Sequence, residues 1–212
     1  DFSFDDMSGD DFFSGLLSRF EQMYRDKTMS FFDSDELEDM IDYFLLTGQF
    51  AYAGYALNIA QYQYPDSVVF LIYNARFLHE SEQSEKALEI LNELEKTYPE
   101  NVDVLITLGE IMRDKTKNSE AVLYFEKALG FINGSEKINV LEQIIDCLDE
   151  AGQHYKMIPF YKQLLQLEPD NAIAMSGIAY CYTVLDRVED GIVFFNKIIE
   201  QDYFNEIAWF NL

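Results

Sequence analysis

Residues 102–135 read V-D-V-L-I-T-L-G-E-I-M-R-D-K-T-K-N-S-E-A-V-L-Y-F-E-K-A-L-G-F-I-N-G-S. Leu105, Leu108, Gly109 and Met112 recur at helical spacing and fall on one stripe. Ala121, Phe125 and Ala128 form a second stripe that belongs to the next helix. A small residue at Gly109 and another at Ala121 let the two backbones approach. One such pair cannot bury both of its stripes, so neighbouring pairs must stack on it.

The same spacing extends in both directions. Pro65, Pro99 and Pro169 stand in similar surroundings, Tyr64-Pro65-Asp66, Tyr98-Pro99-Glu100 and Glu168-Pro169-Asp170. The first two are 34 residues apart, and the third follows after two further periods plus a two-residue insertion at 136–137. A fixed period of that length marks a helix–turn–helix repeat. Five blocks result: 34–67, 68–101, 102–137, 138–171 and 172–205. Position 4 of the blocks carries Leu37, Leu71, Leu105, Leu141 and Met175, and position 11 carries Phe44, Leu78, Met112, Leu148 and Tyr182. Position 24 carries Leu57, Leu91, Phe125, Tyr161 and Phe195. Pro at position 32 ends the second helix, and Asn133 and Tyr203 replace it in two blocks. Gly48 and Gly152 sit at position 15, where the chain must turn and a positive φ is useful.

With small residues at positions 8, 20 and 27 and large apolar ones at 4, 7, 11 and 24, the chain resembles the tetratricopeptide repeat (TPR) family over residues 34–205. The third block is the closest match. The fourth and fifth depart at positions 20 and 27, which predicts a wider contact there. The resemblance implies an all-α, right-handed superhelical solenoid of antiparallel helix pairs. Phe31-Phe32-Asp33 leading into Leu37 to Phe44 is similar to intracellular bacterial TPR proteins of unassigned function.

The ends read differently. Residues 1–10 are an acidic tail with Gly and Ser. Residues 11–33 form an N-terminal capping helix and linker; Phe12, Phe13, Leu16, Leu17, Phe20, Met23 and Tyr24 make its apolar stripe. The alternative for this helix is docking or dimerisation. Asp33 with Glu36 reads as a capping box opening the first repeat helix. Residues 206–212 begin a sixth unit, with Trp209 at position 4 and Leu212 at position 7. The expectation is that the chain continues beyond, or that a partner covers Phe194, Phe195, Ile198 and Ile199.

Composition narrows the function. The 212 residues carry 39 acidic against 15 basic side chains, a formal net charge of −24. Such a surface repels phosphate, which argues against nucleic acid and anionic membranes as partners. No apolar run is long enough for a transmembrane helix, and no signal peptide is evident. Two cysteines make no disulfide framework and fit a reducing, cytoplasmic setting. Cys147 and Cys181 both occupy position 10; successive first helices at about 10 Å spacing hold them too far apart for a disulfide.

No catalytic constellation emerges. Glycine-rich phosphate loops, G-x-S-x-G and H-E-x-x-H are all missing. His79 and His154 are far apart in sequence and read as surface sites without metal-ligating neighbours. Asn133-Gly134-Ser135 reads as a turn, not a glycosylation site. The chain is therefore expected to be no enzyme and to need no cofactor or metal.

In TPR arrays the first helix of each pair lines a concave groove, and the resemblance assigns positions 2, 5, 6, 9, 12 and 13 to it. The residues so implicated are Glu38, Asp39 and Asp42, then Ile72, Tyr73 and Arg76, then Ile106, Glu110 and Arg113, and finally Glu142, Asp146 and Tyr180. Acid on an apolar floor suits a basic or amphipathic protein segment. Asp35, Glu38, Asp39 and Asp42 reverse the sign that holds a carboxylate in chaperone-binding TPR domains. The sequence thus reads as a non-catalytic interaction scaffold. Self-association through the N-terminal helix or the C-terminal face, or a regulatory role within a longer protein, are the alternatives.

Overall fold

A computed structural model describes residues 9–28, 30–201 and 203–204. Among the described residues every regular element is helical, in the order α1 (Gly9–Asp26), α2 (Ser34–Leu46), α3 (Phe50–Gln63), α4 (Val68–Glu80), α5 (Ser84–Thr97), α6 (Val102–Asp114), α7 (Asn118–Leu129), α8 (Lys137–Glu150), α9 (His154–Leu167), α10 (Ala172–Val184) and α11 (Val188–Gln201). After α1 the helices follow one another in five successive pairs, α2 and α3 through α10 and α11, along residues 34–201. The chain divides into two compact units, Asp1–Asn92 and Glu93–Leu212.

The punctuation of the repeat has local causes. Helices α3, α5 and α9 each end two residues before Pro65, Pro99 and Pro169, because the residue before a proline is pushed out of the α region. Two first helices open on an asparagine that follows these prolines. Asn101 accepts from the Val104 N–H at 3.0 Å, and Asn171 from the Ala174 N–H at 2.8 Å. Each cap satisfies one of the unpaired donors of a first turn, worth about 1 kcal/mol. Where Asn133 replaces proline, α7 stops early at Leu129, and the chain turns at Gly130 and Phe131 before a short 3-10 helix, Gly134–Glu136, whose first residue has φ +62. The turn thus falls earlier than the expected Asn133-Gly134: Asn133 is extended and Gly134 opens the 3-10 helix.

Position 15 is left-handed in all five blocks. Gly48 and Gly152 have φ of +69 and +64, as their composition suggests. Glu82, Thr116 and Asp186 have φ of +61, +58 and +56 at the same place, and nothing in their side chains announced it. The next N–H then reaches back into the first helix: Gln49, Gln83, Lys117, Gln153 and Arg187 donate to the carbonyls of Phe44, Leu78, Met112, Leu148 and Tyr182. A helix-ending motif of this kind turns the chain by backbone geometry.

In the first unit α1 lies on the core of the first helix pair. Phe20 is fully buried, its ring 5.0 Å from Phe44, 5.9 Å from Tyr52, 5.8 Å from Tyr55 and 6.3 Å from Phe32. Leu16 and Met23 of the same stripe are buried beside it, while Tyr24 is partly exposed. The linker to α2 is strapped down. Gln63 accepts from the Phe32 N–H and donates to the Ser30 carbonyl, and the Tyr64 hydroxyl donates to the Phe32 carbonyl. The capping box at Asp33 and Glu36 is formed. Glu36 Oε2 also meets Arg19 of α1 at 2.7 Å.

In the second unit the wedge of large against small is explicit. A Cβ on Gly109 would lie 2.5 Å from the Phe125 ring, so only glycine lets that ring sit flat on α6. Leu105, Leu108, Ala121, Phe125 and Ala128 are all buried. Pro159 stands inside α9, where the sequence pattern gave no reason to expect it; it lacks the N–H that would bond the Tyr155 carbonyl, and the helix continues through it. Phe195 and Ile198, expected to face outward at the C-terminal end, are buried with Met175 and Ala179, and Phe194 and Ile199 pack against that cluster. The stripe of α11 is covered by its own helix partner α10, which corrects the expectation of an uncovered face at these residues. Trp209, Leu212 and residues 1–8 of the expected tail (1–10) lie outside the described residues, and Gly9 and Asp10 belong to α1, which corrects the tail's end.

Candidate functional site

The outward-facing positions of the first helices behave differently in the two units. In the first unit, Glu38, Asp39 and Asp42 lie on α2, and Ile72, Tyr73 and Arg76 on α4. Asp39 is exposed, whereas Ile72 is 4% and Tyr73 9% exposed. The expectation that Ile72 and Tyr73 floor an open groove is corrected. Tyr73 donates its hydroxyl to Asp42 Oδ2 at 2.7 Å, and its ring packs with Phe70 in the unit's core. The Arg76 guanidinium sits 5.8 Å from the Tyr73 ring centroid. Burial, then the hydrogen bond to Asp42, holds the Tyr73 hydroxyl well above its ordinary pKa. Glu38 accepts from Ser34 Oγ at 2.9 Å. The polar groups of this face largely satisfy one another.

In the second unit, Ile106, Glu110 and Arg113 of α6 are half-buried, while Glu142 and Asp146 of α8 are exposed. Tyr180 of α10 is 52% exposed. Asp149 and Glu150 are exposed on α8 beside Asp146, so four carboxylates follow at i, i+4, i+7 and i+8 from Glu142. The Asp146 carboxyl is raised above the ordinary carboxylate range. Desolvation by the surrounding helices is the largest cause; Arg113 opposes it, and Glu150 and Asp149 add to it. A proton is thus easier to place on this row than on an isolated aspartate.

His154 at the start of α9 makes one contact to α10 and one to α8. The His154 ring meets the Tyr180 ring edge-on at 5.6 Å between centroids. Its Nδ1 lies 3.6 Å from Asp149 Oδ1. His154 is thereby partly sequestered, not a free surface residue as expected, and His79 is half-buried with Nδ1 2.9 Å from Ser84 Oγ. Tyr161 of α9 fills the space in front of Gly177 of α10, where a side chain would overlap its ring. The sequence signal for this close contact is a glycine inside a helix.

The remaining chemistry is quiet. Cys147 and Cys181 are buried free thiols, each pushed up to about 11, chiefly by burial. A thiol so held is a poor nucleophile. Among the described residues no group of three or more His, Cys, Asp and Glu is placed to hold a metal ion, and no helix is long and apolar enough to cross a membrane. A shallow cleft of about 380 Å³ lies beside α7, with Val122, Leu123, Leu148 and Phe160 in its walls.

No protein-family model matches the sequence, and no curated protein matches it. Solved structures do. MamA superposes with a TM-score of 0.60 at 17% identity, over 79% of this chain and 90% of that one. YrrB, a TPR protein with an unusual peptide-binding site, gives a TM-score of 0.58 at 13% identity, over 92% and 96%. TTC0263, a thermophilic TPR protein of Thermus thermophilus, gives 0.53 at 18%, over 84% and 96%. The shared property at these identities is the fold, an all-α array of TPR-type helix pairs.

Proposed function

We propose that this chain, with the fold of TPR proteins, is a non-catalytic scaffold that holds a segment of another protein on the outward face of its first helices. The observation that carries the reading is the row Glu142, Asp146, Asp149 and Glu150, exposed on one side of α8 with Arg113 as a neighbouring cation. Carboxylates brought this close repel one another, and a basic partner segment relieves that repulsion on docking. The peptide-binding site of YrrB supports the same use of the fold. The first-unit face, closed by the Tyr73–Asp42 bond, contributes less. Dimerisation through α1 is disfavoured, because Leu16, Phe20 and Met23 are already engaged in the core of the first unit. Two unpaired thiols support a reducing compartment, the cytoplasm.

The test is affinity capture from the cell of origin, comparing the native chain with the triple variant E110K/E142K/D146K. Loss of the captured protein with an unchanged unfolding temperature supports the reading. Capture that is indifferent to the triple substitution overturns it.

A further inference from the structure

Helix α10 is 13 residues long and contains no charged side chain, in a chain of which 25% is charged. One side of it faces the unit's own core, where Ala174, Met175, Ile178 and Ala179 are buried. The other side carries Ile173, 79% exposed, Tyr180, 52% exposed, and Val184, 47% exposed. With Gly177 these residues fall at i, i+4, i+7 and i+11, a single line along the helix. A helix that is apolar all round is ordinarily buried all round; at Ile173, Tyr180 and Val184 α10 is not, while the Tyr161 ring covers Gly177 between them.

The line has an acidic flank. His154 connects the two, touching Tyr180 with its ring and approaching Asp149 with Nδ1. Asp146 and Asp149 also act electrostatically on Tyr161, whose ring lies against Gly177 in the middle of the line. Apolar contact along one edge and negative charge along the next are the two halves of a complementary surface.

Resting on the scaffold reading above, we propose that the outward line of α10 seats an amphipathic helix of a partner protein. Its apolar stripe packs on Ile173, Tyr180 and Val184, and Lys or Arg on one flank of that stripe faces Glu142, Asp146 and Asp149. A segment laid on Ile173 and Val184 loses water from its own backbone. Among the described residues no strand edge exists to pair with it, so the segment must satisfy its N–H and C=O groups internally, as a helix does. A second copy of this chain is the wrong occupant: with a net charge of −24, pairing α10 with α10 brings two acidic flanks together.

The probe is a synthetic peptide of about 18 residues, five helical turns, with Leu on one stripe and Lys elsewhere. It is titrated into the full chain by calorimetry and circular dichroism. Saturable binding with a gain of peptide helicity is expected, weakened at least tenfold by I173S/V184S, in which both residues are exposed and the charge is unchanged. E142K/D146K should weaken binding similarly and flatten its salt dependence. Three results overturn the proposal. Equal binding of a control peptide with central prolines removes the helix while leaving the scaffold reading intact. Indifference to I173S/V184S removes α10 as the seat, and indifference to E142K/D146K removes the acidic flank. Sedimentation supplies a further check: a native dimer that I173S/V184S turns into a monomer makes a second copy the occupant and overturns the proposal, whereas a monomer in both cases agrees with it. Failure of the scaffold reading itself shows in the capture experiment, which does not use this peptide.

Discussion

Gly177 and Tyr161 share one space: the phenol ring from α9 lies where any side chain on Gly177 would have to be. Gly177→Ala is therefore expected to destabilise the chain by about 1–3 kcal/mol, the usual range for overpacking. The same substitution with Tyr161→Leu should cost nothing, since alanine is the better helix former. Urea unfolding of the two single variants and the double variant measures the coupling. Additive single effects would show that the ring is not the obstacle.

Position 15 permits a prediction of unusual sign. Thr116 is β-branched and held at φ +58, a region costly for L residues and open to glycine. Thr116→Gly is expected to stabilise by about 0.5–1 kcal/mol, after the extra freedom it gives the unfolded chain. Gly152→Ala, at φ +64, should destabilise by about 1 kcal/mol. The midpoint of chemical denaturation reads both, and a loss of stability in Thr116→Gly would contradict the strain argument.

Phe20 anchors α1 among four aromatic rings and is fully buried. Phe20→Ala is expected to cost about 3–5 kcal/mol. Hydrogen exchange should show the loss concentrated in α1, α2 and α3, with α6 to α11 less affected. Uniform loss across the chain would mean that the two units unfold together.

The two buried thiols give a pH window. Each has a folded value of about 11 against an ordinary 9.0. A group whose folded value is raised contributes stability that is complete below its unfolded value and lost as pH rises toward the folded one. Unfolding free energy should thus fall between pH of about 9 and about 11, and Tyr161, raised to about 12, prolongs the decline. The fall should be shallower in C147A/C181A than in the native chain. In the folded state both thiols should resist a disulfide reagent at pH of about 8 and react once guanidinium is added.

The helix pairs were legible because apolar periodicity and the prolines at 65, 99 and 169 are strong signals that act locally. The candidate surface was less so. Spacing placed Ile72 and Tyr73 on an outward face, but both are buried; for Tyr73 the acceptor at Asp42, about one repeat away, and the neighbouring Phe70 ring hold it inward. Glu82, Thr116 and Asp186 hide their left-handed backbone because side-chain type records preference, not necessity. Pro159 shows the converse: it is exposed, and the helix continues through it beside the buried Met157 and Ile158. Glu142, Asp146 and Tyr180, assigned by the resemblance to the groove, are exposed.

A reversal achieved through one dihedral angle leaves the side chain at that site free to drift. Gly48, Glu82, Thr116, Gly152 and Asp186 do the same mechanical job with four residue types. Selection acting on a torsion instead of a letter erodes resemblance between sequences far sooner than resemblance between shapes. Superposition at 13% identity over 92% of this chain is the outcome such erosion leaves behind.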